Sequence, residues 1–294
     1  MTRAASNGIE IEFETFGDPA DPTLLMVMGL GAQMIAWDVD FVRGFVDRGF
    51  HVVRFDNRDV GLSTWIEWDN DPVTEIVKVF TGETPSAPYL LSDMAADAIG
   101  VLDHLGIDKA HVLGASMGGM ISQAIAIAYP ERVQTLTSIM STTGDLDVGQ
   151  PDPEIVGQLL APTPEGREAA VAQAMVVSRA IGSPELFEED RALRRAEESF
   201  DRAHRPLGTM HQLVAIMASG SRADALRQLD VPALVIHGDA DPLVTPSGGQ
   251  RTHECLTGST LLVLEGMGHD LPSTYWATIV DHVTSLAANS PVSA

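Results

Sequence analysis

The sequence predicts an α/β fold built on a mostly parallel sheet of eight strands with helices on both faces. Short apolar runs alternate with segments of helical periodicity through residues 1–141 and again after residue 221. This alternation is typical of a parallel sheet covered by helices, whose strands are buried on both faces and form continuous apolar runs. The intervening residues, 142–220, have helical spacing and no such run.

Eight segments are predicted to form the strands. Residues 3–5 and 9–15 should form an antiparallel hairpin, because apolar and polar residues alternate in the second segment. The other six strands are the apolar runs at residues 24–28, 51–55, 112–113, 133–140, 233–236 and 261–264. Helical segments separate most of these runs, and this favours parallel pairing.

Helices are predicted between the strands. Residues 37–47 have helical spacing, as do the apolar residues from Met94 to Leu105. Gly106 follows at the position where a helix C-terminus favours glycine. A further helix should run from Ser116 to about Tyr129, and the last one through residues 276–286.

Residues 142–220 are predicted to form a helical cap inserted into the core. Charged and apolar residues mix at helical spacing over residues 165–181 and 185–204. The β/α alternation resumes beyond this stretch, so the core is predicted to consist of residues 1–141 and 221–294. An insertion of this length has the size of a small domain or lid.

Composition and charge narrow the classes of partner. The formal net charge of −23 would repel a nucleic-acid backbone and an anionic membrane surface. The single cysteine, Cys255, excludes an intrachain disulfide. Residues 112–129 lean apolar, but their glycines and polar side chains make a poor membrane span. Because the start of the sequence contains no apolar leader, we expect a cytoplasmic protein without stable membrane insertion. The sequence leaves the oligomeric state open, and a dimer is one possibility.

Residues 114–118 (Gly-Ala-Ser-Met-Gly) carry a candidate nucleophile, Ser116. The pattern G-x-S-x-G lies between a predicted strand and a predicted helix, as a nucleophile elbow requires. Flanking glycines leave room for a sharp turn that lifts the serine hydroxyl to the carboxyl edge of the sheet. The N-terminus of the following helix favours negative charge that develops there.

A serine hydroxyl needs a neutral imidazole to take its proton and a carboxylate to orient that imidazole. His269 follows the last predicted strand, and Asp239 and Asp241 both follow the strand before it. The order Ser, Asp, His is the one expected of this kind of sheet. Spacing alone leaves Asp239 and Asp241 as alternatives for the acid.

Residues 28–31 (Met-Gly-Leu-Gly), at the end of an early strand, form the predicted oxyanion loop. The backbone amide of Leu30 would join that of Met117 to hold a tetrahedral oxyanion. No cofactor and no metal are expected, because the Asp239/Asp241 pair lacks a nearby histidine or cysteine cluster. The third glycine of a dinucleotide-binding fingerprint is replaced by Met34. His204 and His211 are candidates for lining a substrate pocket.

Taken together, these segments resemble the α/β-hydrolase superfamily across essentially the whole chain. The resemblance is carried by residues 27–31, 54–63, 114–119, 237–242 and 266–269, and it is greatest to the aclacinomycin methylesterase-like group of lipolytic carboxylesterases. It implies the α/β-hydrolase fold with a helical cap, a catalytic triad and an oxyanion hole. It also implies that the acid is Asp241, the second aspartate of the Gly-Asp-x-Asp run.

The sequence departs from many members of the superfamily at two positions. Met28 stands where many have histidine before the glycine of the oxyanion loop, which makes the pocket floor more apolar. Asp59 stands where many have glycine. Arg58 and Asp59 would either border the mouth of the site or brace a tight turn, and we favour the brace.

The function predicted from these residues is that of a serine esterase, a carboxylic ester hydrolase acting on a small-molecule ester through an acyl-enzyme on Ser116. A thioester, a lactone or a carbon–carbon bond remain alternatives on the same triad. A non-catalytic ligand-binding protein is the alternative of another class, because fold does not dictate function.

Overall fold

The computed structural model describes residues 2–159, 161 and 163–290. Its strands form one eight-stranded sheet in the order β1-β2-β4-β3-β5-β6-β7-β8. The strands are β1 (Thr2–Ser6), β2 (Ile9–Phe16), β3 (Thr23–Val27), β4 (His51–Phe55), β5 (Ala110–Ala115), β6 (Val133–Ile139), β7 (Ala233–Gly238) and β8 (Thr260–Leu264). Strand β2 pairs antiparallel with both β1 and β4, and the other five pairings are parallel, so the predicted mostly parallel sheet is confirmed.

The hairpin at the start of the chain is closed by two residues. Asn7 and Gly8 both have positive φ, 47° and 81°, and Ser6 pairs with Ile9. Turns of this kind match the right-handed twist of the flanking strands. The predicted antiparallel pairing is therefore confirmed.

The helices of the core are α1 (Val39–Val46), α2 (Pro72–Phe80), α3 (Leu91–His104), α4 (Met117–Ala128), α10 (Ser247–Cys255) and α11 (Trp276–Ala288). The first helix begins two residues later than predicted, because the Asp38 side chain accepts the amide of Asp40 and caps the helix. Trp37 instead ends a short 3₁₀ turn, Met34–Ala36.

Sequence reasoning missed two helices of the core, α2 and α10. A local signal was available for α2, since the Asp71 side chain accepts the amides of Val73 and Thr74, and Pro72 occupies the first turn. For α10 the signal is weak, because its first turn contains Gly248 and Gly249.

Two apolar cores lie on the two faces of the sheet. Strand β3 contributes to both: Leu25 and Val27 pack in one buried cluster with the apolar face of α3 and α4. Leu24 and Met26 pack in the other cluster, with residues of α1 and α11. Alternating side chains of a strand point to opposite faces, so burial on both faces explains the continuous apolar run.

Among the described residues between β6 and β7 there are five helices: α5 (Pro153–Leu159), α6 (Arg167–Ile181), α7 (Glu189–Arg202), α8 (Pro206–Ser219) and the short α9 (Ala223–Leu226). We call residues 142–220 the helical insertion. Its described residues contain helices and turns but no strand. The division of the chain into a core and a cap at residues 142 and 220 stays a prediction, and it includes residues 1, 160, 162 and 291–294, which lie outside the described residues.

Every helix within the described residues is too short or too polar to cross a lipid bilayer.

Candidate active site

Ser116 lies at a sharp turn between β5 and α4. Its backbone has φ 58° and ψ −124°, a conformation that non-glycine residues rarely adopt. The Ser116 amide donates to the carbonyl of Ile139 at 2.9 Å, and the Ser141 hydroxyl donates to the carbonyl of Ser116 at 2.8 Å. A hydrogen bond to β6 and one from a residue that follows it therefore hold the strained turn.

The two glycines of the motif allow this turn for steric reasons. A Cβ on Gly114 would lie 2.1 Å from the carbonyl oxygen of Gly118. A Cβ on Gly118 would lie 2.0 Å from the carbonyl oxygen of Val27, on the neighbouring strand. Only glycine fits at either position without displacing backbone.

Ser116, His269 and Asp241 are joined by two hydrogen bonds. His269 Nε2 lies 2.9 Å from Ser116 Oγ, and His269 Nδ1 lies 2.8 Å from Asp241 Oδ2. With the Nδ1 proton donated to the carboxylate, Nε2 is left to accept the serine proton. The geometry is the one required of a nucleophile, a base and an orienting acid.

Asp241 is held on both of its oxygens. Its Oδ1 accepts the backbone amides of Leu243 at 2.9 Å and Val244 at 3.0 Å. Burial raises the pKa of Asp241, but the charge of His269 and hydrogen bonds from His237 and His269 outweigh it and lower that pKa to about 2. The carboxylate therefore stays ionised throughout the neutral and mildly acidic range.

The structure separates the two candidate acids. Asp239 lies near the surface, where its Oδ1 accepts the amide of Gly266 at 2.6 Å. Asp241 is the aspartate beside His269. The structure also places His237, to which no role is assigned from the sequence, beside the acid: its Nε2 donates to the carbonyl of Val244 at 2.7 Å and lies 3.5 Å from Asp241 Oδ2. Its position at the end of β7, four residues before Asp241, was the available signal.

The loop after β3 packs directly against Ser116. A Cβ on Gly29 would lie 3.1 Å from the Cβ of Ser116. Asn57 donates to the carbonyl of Met28 at 2.8 Å, and Gln212 of α8 accepts the amide of Gly31 at 2.8 Å. The described residues provide no hydrogen-bond acceptor for the amide of Leu30. The amide of Met117, at the first position of α4, likewise has no partner within the helix.

A cavity of about 500 Å³ opens above these groups, between the sheet edge and the helical insertion. Its walls are largely apolar, with small side chains from α6 and α7 and larger ones such as Met28, Met210 and Leu213. Ser116 and His269 both line it. Pockets of this size and character bind small molecules.

The sequence profile of the alpha/beta hydrolase fold family matches residues 22–273. The protein belongs to the alpha/beta hydrolase fold family.

Several relatives of this alpha/beta hydrolase cover most of its length. A rhodomycin D methylesterase from Streptomyces peucetius is 27% identical and covers 92% of this chain and 93% of its own. A 3-oxoadipate enol-lactonase from Acinetobacter baylyi is 28% identical over 87% of this chain and 85% of its own. The methylesterase agrees with the group to which the sequence motifs are most similar.

Solved structures share the fold at lower identity. An enol-lactonase from Burkholderia xenovorans superposes with a TM-score of 0.74 at 22% identity, covering 98% of this chain and 100% of that one. A meta-cleavage product hydrolase from Pseudomonas fluorescens superposes with a TM-score of 0.75 at 20% identity, covering 97% of each chain. The predicted α/β-hydrolase fold is thereby confirmed.

Arg58 and Asp59, for which the sequence left a place at the mouth of this hydrolase's site or a bracing role, contact residues of the core and of the helical insertion. Arg58 makes two hydrogen bonds of 2.6 Å to the buried carboxylate of Asp97. Asp59 has φ 72° and is fully buried, where it accepts the amide of Ile66 at 2.8 Å and pairs with Arg205 of the helical insertion at 2.5 Å. Neither side chain lines the cavity.

The two histidines of the helical insertion have different surroundings. His204 borders the cavity. His211 is buried away from it, with Nδ1 3.1 Å from Asp59 Oδ2. Across residues 2–159, 161 and 163–290, no group of three His, Cys, Asp or Glu side chains is arranged to hold a metal ion.

Proposed function

We propose that this alpha/beta hydrolase is a serine esterase that cleaves carboxylic esters through an acyl-enzyme on Ser116. The observation that carries the proposal is the hydrogen-bonded series Ser116, His269 and Asp241, whose serine faces the apolar cavity. A general base within 2.9 Å of a hydroxyl and a buried carboxylate behind that base are the parts that acyl transfer needs.

In the first step, His269 Nε2 takes the hydroxyl proton while Ser116 Oγ attacks the carbonyl carbon of the ester. The tetrahedral intermediate collapses as its bond to the alcohol oxygen breaks. The same imidazole returns the proton to that oxygen, so the alcohol leaves neutral and the acyl group stays on Ser116. The ionised Asp241 stabilises the transient imidazolium.

In the second step, water replaces the alcohol. His269 accepts a proton from the water as its oxygen attacks the acyl carbon, and then protonates Ser116 Oγ as the bond to the acyl group breaks. The carboxylic acid is released and the enzyme is regenerated. No group outside the chain, the ester and water is needed to balance the reaction.

The amides of Leu30 and Met117 are proposed to hold the oxyanion. Three observations support them: Gly29 lies against Ser116, the amide of Leu30 has no acceptor among the described residues, and Gly31 already donates to Gln212. The positive end of α4 adds to the stabilisation, since the helix begins at Met117. Losing one such donor typically costs about 3–4 kcal/mol of transition-state stabilisation.

We further propose that the helical insertion acts as a cap that bounds the substrate. Residues of α6, α7 and α8 supply much of the cavity wall. The volume suits an ester of small or medium size. The relatives named as a methylesterase and an enol-lactonase support including both open-chain and cyclic esters in this proposal.

The test combines a covalent probe with an ester series. A fluorophosphonate should label Ser116, detected by peptide mass spectrometry, and should not label the Ser116→Ala variant. p-Nitrophenyl esters from acetate to palmitate should be hydrolysed with a maximum at one chain length, and the variant should be inactive. Labelling without hydrolysis of any ester would favour the carbon–carbon bond alternative, and a folded wild type that is not labelled would favour a binding protein.

A further inference from the structure

One face of α7 forms a wall of the cavity. The residues that it contributes are adjacent pairs that recur every four positions, and three of the six are small: Arg191, Ala192, Arg195, Ala196, Ser199 and Phe200. This spacing places them along one side of a helix. Arg194 and Leu193 are exposed on another side. Arg195 is therefore a long cationic side chain that borders the same cavity as Ser116 and His269.

Arg195 differs from the other arginines near the cavity in its partners. Arg191 bonds Glu188 at 2.5 Å and the carbonyl of Leu271 at 2.8 Å. Arg205, which also lines the cavity, bonds the buried carboxylate of Asp59 at 2.5 Å and the carbonyl of Ile66 at 2.8 Å. For Arg195, the described part of the chain supplies no hydrogen bond and no carboxylate within ion-pair distance.

Two carboxylates, Asp270 and Asp38, also line the cavity, and one oxygen of each accepts hydrogen bonds from other residues. Asp270 Oδ1 accepts the amide of Ser183 at 3.1 Å and its hydroxyl at 2.5 Å. Asp38 caps α1 by accepting the amide of Asp40 at 2.9 Å. Burial lowers the pKa of Arg195 and the adjacent Arg191 lowers it further, while Asp270 and Asp38 oppose this from a distance.

The guanidinium of Arg195 is half-buried and borders the cavity without a bonded anion, so a carboxylate that enters the cavity can form charge-assisted hydrogen bonds with its planar array of donors. The chain as a whole carries a net charge of −23, so its overall field does not attract anions. An anionic substrate would therefore bind in this cavity only through a cationic side chain that lies close to it. Arg191 and Arg205 of the cavity wall already bond carboxylates and carbonyls, whereas the donors of Arg195 have no partner among the described residues.

We propose that Arg195 binds a carboxylate of the substrate, so that the preferred substrates are esters or lactones that also carry a free acid group. The inference rests on the proposed esterase function and adds a substrate class to it. Arg195 acts as a specificity-determining residue: the carboxylate binds the guanidinium while the ester carbonyl lies at Ser116 Oγ.

The experiment compares monomethyl esters of dicarboxylic acids, from succinate to suberate, with methyl esters of monocarboxylic acids of the same chain length. For wild type, kcat/KM should be at least tenfold higher for one or more of the acid esters than for their neutral partners. In Arg195→Met this preference should fall by at least tenfold, and Arg195→Lys should retain part of it. Arg194→Met, the exposed neighbour on the same helix, is the matched control and should retain the full preference.

Two outcomes would overturn the inference: a wild type that does not prefer acid esters, or an Arg195→Met variant that loses activity equally on both series. If neutral esters are still hydrolysed and only Ser116→Ala abolishes this, the esterase function stands and the substrate class is wrong. If no ester is hydrolysed, calorimetric binding of monomethyl adipate to Ser116→Ala tests the site directly. Binding that disappears when Arg195→Met is added supports the site, and absence of binding contradicts it.

Discussion

The side-chain oxygen of Gln212 accepts the backbone amide of Gly31 at 2.8 Å. This bond joins helix α8 of the helical insertion to the loop that carries the proposed oxyanion donor, Leu30. The amide nitrogen of Gln212 donates at the same time to the carbonyl of Arg58 at 2.8 Å, and the residue is fully buried. The position of the loop therefore depends on a side chain 181 residues away in the sequence.

Gln212→Leu should lower kcat more than it raises KM. The substitution leaves the Gly31 amide without its acceptor, so the loop can shift and the Leu30 amide no longer lies where the oxyanion develops. A displaced donor still stabilises the oxyanion in part, so the loss should be smaller than for a donor that is removed. We therefore expect kcat to fall by about 10- to 100-fold. Steady-state kinetics on the best p-nitrophenyl ester measure this.

His211→Leu is the matched control for this loop effect. His211 is the neighbouring residue, is also buried and also bonds the core, but through Asp59 rather than Gly31. Both variants should lose unfolding free energy. If His211→Leu lowers kcat as much as Gln212→Leu does, the loss reflects docking of α8 in general and Gln212 has no specific positioning role.

Asp241→Asn should abolish most activity while leaving Ser116 in place. An amide in this position no longer holds the imidazole in the tautomer that accepts the serine proton, and such a change lowers kcat by about 10⁴-fold in comparable triads. Asp239→Asn, in the same loop, should change kcat less than about threefold. A large effect of Asp239→Asn with a small effect of Asp241→Asn would reverse the assignment of the acid.

Gly118→Ala should destabilise the protein and impair catalysis together. Its Cβ would meet the carbonyl oxygens of Val27 at 2.0 Å and Met28 at 2.9 Å, so the start of α4 has to move. We expect a loss of about 2–3 kcal/mol in unfolding free energy. Gly157→Ala provides the contrast: this exposed glycine of α5 has nothing within 4 Å of its Cβ position, and alanine there should add about 0.5–1 kcal/mol. Urea unfolding of both variants checks the pair.

His111 should make the protein less stable below neutral pH. This residue of β5 is buried, and its Nδ1 lies 2.9 Å from Thr135 Oγ1. Burial lowers its pKa from 6.5 to about 4. Between these two values the unfolded chain binds a proton that the folded chain does not, so stability rises with pH across the window. The unfolding free energy that depends on a neutral His111 is fully present above pH 6.5, and about 2–3 kcal/mol of it is lost as pH falls to 4.

The measurement is the unfolding free energy of wild type and His111→Gln at several pH values from 4 to 7. Glutamine keeps a hydrogen-bonding group near Thr135 but does not titrate, so the variant should lose less stability on acidification. His282→Gln, at an exposed position of α11, should follow the wild-type profile. Parallel profiles for wild type and His111→Gln would show that His111 does not bring about the acid sensitivity.

The sequence by itself determined the features that depend on neighbouring residues. Continuous apolar runs predicted the strands because a strand buried on both faces has no polar side. The strand, glycine and serine pattern predicted the turn at Ser116, since the steric demand of that turn falls on the adjacent Gly114 and Gly118. His269 followed from its place after the last strand, because the loops of a parallel sheet open at one edge.

Only the tertiary structure decided which side chains meet. Asp239 and Asp241 follow the same strand, and residue spacing did not separate them; the packing of their loop against His269 does. The hydrogen bond of Gln212 to Gly31 and the unpaired guanidinium of Arg195 depend on where the helical insertion rests on the core. Contacts of this kind join residues distant in sequence, and local periodicity contains no information about them.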